Sequence, residues 1–367
     1  MTNMYYVPIE PLEERYTAQW YKYFPKHFNK KFNTIIIDGE PLTDKVEVGT
    51  FLDINSTIAY KNSQMIKIAK LFRNNKIPCG SIFFFGDLEF WGIESLRLMA
   101  DMNNIKIKIY GFLHAASYVQ GDAFQIAEDY QKFTEIGWVL SMDKVFVATQ
   151  YHKELFLEKR GSLAGNSYHA LEEKIIPVGN PLFLDAYKEY NLPKENNILL
   201  TNRPDKEKMV DVTLKIFKDL KKDYPSWNFI ATTGRSTYKS NDTKIAKLAR
   251  KLEQNKVIQI KENLSKEQYH QELQKAKVVV TNNEIEETFG YCPMEAAMYN
   301  ATPICPDLLS HPELCKNDSS LLYKPGDYED CKRKIIQAMQ NPKDYKHLTN
   351  KYESAKVIDK MIKIMEK

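Results

Sequence analysis

The chain alternates short apolar runs with longer segments whose apolar residues recur at helical spacing. The runs at residues 34–38, 81–85 and 144–149 are rich in β-branched and aromatic residues, which is typical of buried strands. Between the first two, residues 56–72 place their apolar side chains near one helical face. A strand followed by a helix, repeated at this rate, predicts an α/β fold with parallel sheets and crossover helices.

This pattern occurs in both halves of the chain. Further strands are predicted at residues 4–9, 105–113, 175–178, 198–201, 228–232, 257–260 and 278–281. Further helices are predicted at residues 12–24, 94–102, 209–222 and 242–252. Residues 179–197 contain two prolines and a polar run, which indicates a domain junction. We expect domains at residues 1–182 and 183–345, and a basic C-terminal helix at 346–367 that either returns to the first domain or lies on the surface.

Composition narrows the class of protein without naming a function. The 367 residues, 43% of them hydrophobic, can build two cores. A net charge of +4 neither requires nor excludes a polyanionic partner. The five cysteines include no C-x-x-C pair, so we expect neither a zinc site nor a disulfide framework. The N-terminus has no signal-peptide pattern, and no apolar run approaches the roughly 20 residues that a membrane span needs. The sequence therefore predicts a soluble cytoplasmic protein.

The most informative segment is residues 277–307. A β-branched run is followed by a polar loop, by Phe289 and Gly290, and by a short helix with Pro293 in its first turn. Asn300 ends this helix, and residues 302–305 form the next strand. The loop and the helix start therefore lie at the carboxyl edge of a parallel sheet, where open α/β sheets bind ligands.

Glu287 and Glu295 bracket seven residues of this segment. Their spacing puts one carboxylate in the loop and the other on the second helical turn. Unpaired N–H groups at a helix start can hold a phosphate. A nucleotide sugar bound here would place its diphosphate at the helix start, with sugar hydroxyls near one carboxylate and ribose hydroxyls near the other. The alternative is a pair of solvated surface glutamates.

A second loop carries cations at a strand end. Arg203 and Lys208 follow the strand at 198–201 and precede a helix. Fixed cations stabilise the charge that a leaving diphosphate gains as its bond to the sugar breaks. The chain has no D-x-D motif, so we expect no metal, with the two cations and the helix start acting in its place. The alternative is surface ion pairing with Asp205 and Glu207.

These motifs resemble the signature of glycosyltransferase family 4, the retaining "glycosyl transferases group 1" enzymes. The resemblance rests on residues 287–290, 295–297 and 303–304. It implies the GT-B fold, in which two Rossmann-like parallel-sheet domains face a central cleft, and a nucleotide-sugar donor, most often UDP-linked, without a cofactor. It also implies site roles: Glu287 is catalytic, Glu295 binds the ribose, and the diphosphate is held by Arg203, Lys208, Phe289 and Gly290.

In the N-terminal half, the resemblance implies that His114, at a strand end, contacts the donor sugar and takes part in catalysis. Asp87 and Asp122 are further candidates for the cleft, and neither is identified as a general base. Retaining chemistry in this family needs no strong protein base, since the departing phosphate oxygen can accept the proton of the acceptor. A packed structural role is the alternative for each of these residues.

The sequence departs from the family after its first strand. Family members commonly have a Gly-Gly loop there, which allows close backbone approach. In this chain Glu10, Arg15 and Tyr16 offer polar side chains instead. These three residues are candidates for donor or acceptor contacts, and the departure argues against transferring a known family acceptor to this protein.

The N-terminal runs PIEPLEERYTAQW and GFLHAASYVQGD are similar to glycosyltransferases of bacteriophages that modify hydroxymethylated bases in viral DNA. Such a protein would act in the host cytoplasm. Lysine-rich stretches at residues 22–31 and 67–76 are interleaved with aromatic residues, as contact with phosphates and a displaced base would require. Solvated helix faces are the alternative explanation for these stretches.

We therefore expect a retaining glycosyltransferase that moves a sugar from a nucleotide-diphosphate sugar to a hydroxyl acceptor. A hydroxymethylated base in DNA, a glycan, a lipid and a small molecule all remain open as acceptors. Two other classes also remain open, namely a UDP-sugar epimerase and a non-catalytic nucleotide-binding or DNA-binding module. Fold alone does not decide among them.

Overall fold

The computed structural model describes residues 1–11, 16–42, 53–183, 186–285 and 287–367. The chain divides into an N-terminal unit, formed by Met1–Phe183 and Tyr352–Lys367, and a C-terminal unit, formed by Leu184–Lys351. Each unit contains one six-stranded sheet whose strands all pair in parallel. The predicted α/β class with two parallel sheets is confirmed.

The sheet of the N-terminal unit has the strand order β2-β1-β3-β4-β5-β6. Its strands are β1 (Asn3–Val7), β2 (Asn33–Ile36), β3 (Ser81–Phe85), β4 (Ile107–Leu113), β5 (Lys144–Val147) and β6 (Ile175–Pro177). Its first helices are α1 (Tyr16–Phe28), α2 (Ile54–Arg73), α3 (Ile93–Met102), α4 (Glu128–Ser141), α5 (Gln150–Ala164) and α6 (Tyr168–Lys174). All five residues of β3 are buried, as expected for an unbroken apolar strand inside a parallel sheet.

The sheet of the C-terminal unit has the strand order β12-β11-β10-β7-β8-β9. Its strands are β7 (Asn197–Leu200), β8 (Asn228–Thr232), β9 (Gln259–Lys261), β10 (Val278–Val280), β11 (Thr302–Pro306) and β12 (Leu322–Tyr323). Its helices are α7 (Val210–Asp223), α8 (Thr243–Gln254), α9 (Lys266–Lys275), α10 (Tyr291–Met298), α11 (His311–Leu314) and α12 (Tyr328–Gln340). The buried strands β7 and β10 lie side by side near the middle, so the loops that follow them are neighbours at the carboxyl edge.

Helix α1 does not end where the sequence pattern predicted. We expected a helix over residues 12–24, but α1 continues through Pro25 to Phe28, and residues 12–15 lie outside the described ranges. A proline inside a helix removes one backbone hydrogen bond. Trp20, Phe24 and Phe28 are fully buried at four-residue spacing, and this apolar stripe stabilises the helix on both sides of the proline.

The C-terminal tail is also divided, where the pattern predicted one helix. A 3-10 segment at Lys346–Lys351 precedes α13 (Ser354–Met365), which belongs to the N-terminal unit. Between them the chain is extended and pairs with Leu182, whose N–H donates to the Tyr352 carbonyl at 2.7 Å. These backbone bonds use groups that a continuous helix would need, so the helix is interrupted there.

Candidate active site

The two glutamates of the sequence motif lie in the loop between β10 and α10 and on α10 itself. Three buried polar residues at positions 281–283 follow β10. Helix α10 begins at Tyr291, with Gly290 at its N-cap position. Glu287 therefore lies in the loop before the helix, and Glu295 lies on its second turn, as the spacing predicted.

Gly290 and Phe289 shape the start of α10. A Cβ atom at Gly290 would lie 2.9 Å from Cγ of Pro293, so glycine allows this close approach. Phe289 is buried, and its ring centroid lies 5.2 Å from that of Tyr291. Because the Phe289 side chain packs, any contact of residues 289 and 290 with an anion would come from backbone N–H groups at the helix start.

Glu287 lies beside a lysine from the neighbouring loop. Asn283 Nδ2 donates to Glu287 Oε2 at 2.8 Å, and Lys208 Nζ lies 3.9 Å from the same oxygen. The side chain of Glu287 is 21% exposed and that of Lys208 is 11% exposed. The structure thus brings together a carboxylate and a cation that are 79 residues apart in the sequence, at the carboxyl edge of one sheet.

The backbone that positions Lys208 has an unusual conformation. A 3-10 turn at Lys206–Lys208 is followed by Met209 with φ 49° and ψ 33°, after which α7 begins. A left-handed conformation is unfavourable for a residue with a side chain. The backbone N–H of Lys206 donates to Asn241 Oδ1 at 2.8 Å, which fixes the turn from the neighbouring loop. Such local strain is commonly found at functional loops.

Asp205 lies between two arginines. It pairs with Arg235 through both carboxylate oxygens, at 3.1 and 2.9 Å, whereas Arg203 Nη1 lies 3.6 Å from Oδ2. The side chain of Asp205 is nearly buried, and that of Arg203 is 36% exposed. The ion pair between Arg203 and Asp205, one of our alternatives, is therefore present, but the bidentate pair with Arg235 is the tighter one.

Glu295 is buried within hydrogen-bond distance of two tyrosines. Tyr187 Oη donates to Oε1 at 3.2 Å, and Tyr269 Oη donates to Oε2 at 3.1 Å. Burial raises the pKa of the Glu295 carboxyl, although the charge of Lys266 and the two hydroxyl donors lower it in part. Glu295 is therefore a fixed, hydrogen-bonded acceptor and not a solvated surface residue.

In the N-terminal unit, His114 follows β4 and is partly buried among aromatic rings. Its Nε2 donates to the Gly86 carbonyl at 2.9 Å. Its ring centroid lies 4.7 Å from that of Trp20 and 5.3 Å from that of Tyr16. Burial lowers the pKa of His114, so the imidazole is neutral near pH 7. Two of the predicted residues, His114 and Tyr16, therefore lie together.

Asp87 forms a buried ion pair after β3. Its Oδ2 lies 2.6 Å from Lys61 Nζ, which also donates to the Glu89 carbonyl. Burial raises the pKa of Asp87, but the charge and the hydrogen bond of Lys61 outweigh this and hold it below the usual value. Burial and the neighbouring charge of Asp87 raise the pKa of the Glu89 carboxyl well above its usual range. The two acids, two residues apart in the sequence, therefore have carboxyl pKa values shifted in opposite directions.

The remaining predicted residues of this unit have local structural partners. Asp122 Oδ1 accepts from the Phe124 N–H at 2.8 Å and caps a 3-10 helix. Glu10 is buried, and its Oε2 accepts from Thr57 Oγ1 on α2 at 2.9 Å. Arg15 lies outside the described residues.

Four residues of these sites were not predicted from the sequence. Lys61 lies on the buried face of α2, where Thr57 and Gln64 are also polar, so no apolar pattern marks it. Glu89 interrupts an apolar run after β3, and a charge within that run could have identified it. Tyr187 and Tyr269 gave no comparable signal, because exposed and buried tyrosines look alike in a sequence.

Two general features concern the described part of the chain. No group of three or more His, Cys, Asp and Glu side chains within it could hold a metal ion. None of the helices in the described ranges has the length and apolarity needed to cross a bilayer.

Comparisons with known proteins agree with this geometry. Residues 185–354 match the model of the family "Glycosyl transferases group 1". No curated protein matches the sequence of the chain. Among solved structures, sucrose-phosphate synthase from Thermosynechococcus elongatus is similar with a TM-score of 0.68 at 11% identity, covering 100% of this chain and 98% of that one. A UDP-forming alpha,alpha-trehalose-phosphate synthase from Burkholderia vietnamiensis is similar with a TM-score of 0.63 at 10% identity, covering 100% and 99%.

A third similar structure is a mutant of S. aureus TarM in complex with Fondaparinux, alpha-GlcNAc-glycerol and UDP. Its TM-score is 0.59 at 16% identity, and the match covers 85% of this chain and 59% of TarM. The chain thus spans less than two thirds of the length of TarM. At identities this low, the solved structures establish the fold, whereas the family match covers the unit that contains Glu287 and Glu295. The chain has the GT-B fold, and its residues 185–354 form a glycosyl transferases group 1 domain.

Proposed function

We propose that this protein is a retaining glycosyltransferase that uses a UDP-linked sugar and a hydroxyl acceptor. The observation that carries the proposal is the placement of Glu287 and Lys208 on neighbouring loops, 3.9 Å apart, directly before the start of α10. A carboxylate that can accept from sugar hydroxyls and a cation that can pair with phosphate meet there. Arg203, on the same loop as Lys208, adds a second and more exposed cation.

In this proposal the donor lies across the carboxyl edge of the C-terminal sheet. Its diphosphate binds Arg203, Lys208 and the backbone N–H groups of residues 289 and 290 at the start of α10. Glu287 binds hydroxyls of the transferred sugar, and Glu295 binds hydroxyls of the ribose. Uridine as the base is supported by TarM, whose structure contains UDP, and by the trehalose-phosphate synthase, which is UDP-forming.

The proposed reaction needs no metal. The bond between the sugar C1 and the diphosphate oxygen breaks, and the leaving diphosphate gains negative charge that Arg203 and Lys208 stabilise. The acceptor hydroxyl oxygen forms its bond to C1 on the face that the diphosphate leaves, so the configuration is retained. The hydroxyl proton passes to the departing phosphate oxygen, which balances the reaction without a protein base.

We propose that the N-terminal unit contributes through His114 and Tyr16. A neutral imidazole whose Nε2 donates to the Gly86 carbonyl has its orientation fixed, which suits contact with a sugar hydroxyl. Asp87, Asp122 and Glu10 are already bonded to protein groups, so they support the acceptor side indirectly by holding loops in place.

For the acceptor, we propose a hydroxymethylated base in viral DNA as the first candidate to test. Lys22 and Lys26 are exposed on α1, each with Nζ 5.1 Å from the ring centroid of Tyr23. Cations grouped around an accessible aromatic ring suit contact with nucleic-acid phosphates and bases. Hydroxyls of glycans, lipids and small molecules are the competing acceptors.

The proposal is tested by UDP release from a panel of UDP-sugars. Each donor is incubated with no acceptor, with plain duplex DNA, and with DNA that carries hydroxymethylated pyrimidines. Release that depends on the modified DNA supports the DNA acceptor, and slow release that is indifferent to DNA supports another hydroxyl acceptor. Conversion of the donor to another UDP-sugar would identify an epimerase. Absence of any turnover would favour a non-catalytic binding module.

Glu295→Ala should abolish this turnover, by at least about 100-fold, because the ribose loses its acceptor and the donor its alignment. A matched control is Glu284→Ala in the preceding loop, where Oε1 accepts from the Gly326 N–H at 2.8 Å. The control should keep near wild-type turnover, and circular dichroism should show both variants folded. An unchanged rate in folded Glu295→Ala would remove Glu295 from the site.

A further inference from the structure

The two tyrosines that contact Glu295 come from separate segments of the C-terminal unit. Tyr187 precedes β7 and lies 108 residues before Glu295, and Tyr269 lies on α9, 26 residues before it. Each hydroxyl donates to a different carboxylate oxygen. The carboxylate plane is therefore fixed at both ends, which a single donor would not achieve.

The tyrosine hydroxyls are held in place by aromatic packing. The ring of His270 lies 5.0 Å from that of Tyr187 and 5.9 Å from that of Tyr269, with Tyr299 at 5.5 Å on another side. His270 is 3% exposed, and burial lowers its pKa to about 4, so it is neutral and acts as a packing group. Burial raises the pKa of both tyrosines well above their usual range, so they remain donors.

The acceptor capacity of Glu295 is only half used by these donors. An ionised carboxylate has about four lone-pair sites, two on each oxygen. Each tyrosine occupies one site on one oxygen, which leaves each oxygen able to accept one more hydrogen bond. The remaining capacity thus matches a ligand with two adjacent hydroxyl donors.

We propose that Tyr187 and Tyr269 are positioning residues that aim the two oxygens of Glu295 at the 2′- and 3′-hydroxyls of the donor ribose. This inference rests on the proposed function and deepens it by assigning the origin of nucleotide selectivity. The site selects ribonucleotides over 2′-deoxyribonucleotides, because a deoxynucleotide leaves one aimed, buried oxygen without its donor.

The test measures binding of UDP and of 2′-deoxy-UDP to the full chain by calorimetry. Wild type should bind UDP about tenfold more tightly than 2′-deoxy-UDP, which is the effect of one lost bond to a charged group. In Tyr187→Phe and Tyr269→Phe this preference should fall to about threefold or less, because one oxygen is no longer aimed. Both changes keep the ring and remove one oxygen atom.

Tyr299→Phe is the matched control from the same aromatic cluster. Its hydroxyl donates to the Lys188 carbonyl at 3.2 Å and not to Glu295. We expect it to keep the wild-type preference for UDP. Glu295→Gln is a second test of the preference for UDP over 2′-deoxy-UDP. It leaves both tyrosines in place and should also abolish this preference. The test therefore does not depend on the folding of either tyrosine variant.

Three outcomes would overturn the inference. If the tyrosine variants weaken the binding of UDP and of 2′-deoxy-UDP equally, the tyrosines act through packing alone. If both affinities are unchanged, the tyrosines have no role in binding. If wild type fails to bind UDP at all, the proposed function fails and the inference fails with it, which separates that result from the first two.

Discussion

The ion pairs of the two units differ in length. In the N-terminal unit, Lys61 and Asp87 are both buried and 2.6 Å apart. Arg160, 1% exposed, likewise lies 2.6 Å from both Glu128 and Glu135. Every charge in these clusters has a close opposite charge, and breaking such a buried pair is costly.

In the C-terminal unit, two ion pairs of the candidate site are longer. Lys208 lies 3.9 Å from Glu287, and Arg203 lies 3.6 Å from Asp205 with about a third of its side chain exposed. The pair of Arg203 with Asp205 is partly screened by solvent at the arginine, so it contributes little to stability. Short ion pairs therefore stabilise the N-terminal unit, whereas we propose that Lys208 and Arg203 in the C-terminal unit serve to bind an anionic ligand.

The most direct test of this difference is to replace one lysine with methionine in each unit. Lys61→Met should lower the free energy of unfolding by about 3–5 kcal/mol, because Asp87 is left as an uncompensated buried charge. Lys208→Met should leave the thermal midpoint close to wild type and lower kcat/KM by about 100- to 1000-fold, because a charge that stabilises the leaving diphosphate is lost. Urea unfolding and UDP release measure the two effects.

Lys218→Met, on α7, is the control for both substitutions, since this lysine is exposed on the surface. It should change neither stability nor turnover. The comparison fails if Lys208→Met destabilises the protein as much as Lys61→Met does. It also fails if Lys61→Met is as stable as wild type.

The difference between the units also explains what the sequence could predict. Strands β3 and β8 were predicted with the bounds observed, because their apolar runs are unbroken. Helices α4 and α5 were missed. Their buried faces include Glu135 and Arg160, which pair with each other, so the apolar periodicity is interrupted where charges are buried. Patterns of apolar residues fail where a core contains ion pairs.

The candidate site shows the same limit. The loops with Arg203 and Glu287 follow buried strands, so strand order and local chemistry were enough to place them at one sheet edge. The contacts of Tyr187 and Tyr269 with Glu295 join segments that share no local pattern. The Tyr269 contact depends on the packing of α9 against α10, and the Tyr187 contact depends on the segment before β7. Local sequence therefore predicts which strand end carries a charge, whereas long-range packing decides how that charge is held.

A second prediction concerns how Arg235 keeps Arg203 available to the diphosphate. Arg235→Gln should weaken UDP binding about tenfold, roughly 1.4 kcal/mol. Without the bidentate partner, Asp205 is left to pair with Arg203, which withdraws that cation from the diphosphate. Calorimetric titration with UDP measures the change.

The double variant Arg235→Gln with Asp205→Asn provides the control. Removing the carboxylate releases Arg203, so the double variant should regain most of the lost affinity. If affinity falls further in the double variant, Arg235 contacts the ligand directly, and its pairing with Asp205 does not explain the loss.

The smallest predicted effect comes from buried histidines, which both units contain. Burial lowers the pKa of His152 in the N-terminal unit to about 3, and the pKa values of His270 and His311 in the C-terminal unit to about 4. Each of these histidines binds a proton near pH 6.5 in the unfolded chain but not in the folded chain. The free energy of unfolding is therefore highest above pH 6.5 and falls as the pH drops toward 4. Each histidine should lower the free energy of unfolding by about 0.8 kcal/mol at pH 6 relative to pH 8.

Replacing one buried histidine tests this sign and size. His270→Gln should reduce the loss of stability between pH 8 and pH 6 by about 0.8 kcal/mol, because one group no longer titrates on unfolding. His169→Gln is the control, since the His169 side chain is 87% exposed. Urea unfolding at the two pH values measures both variants. An unchanged pH dependence in His270→Gln would mean that His270 binds its proton equally well in both states, and that its burial does not keep it neutral.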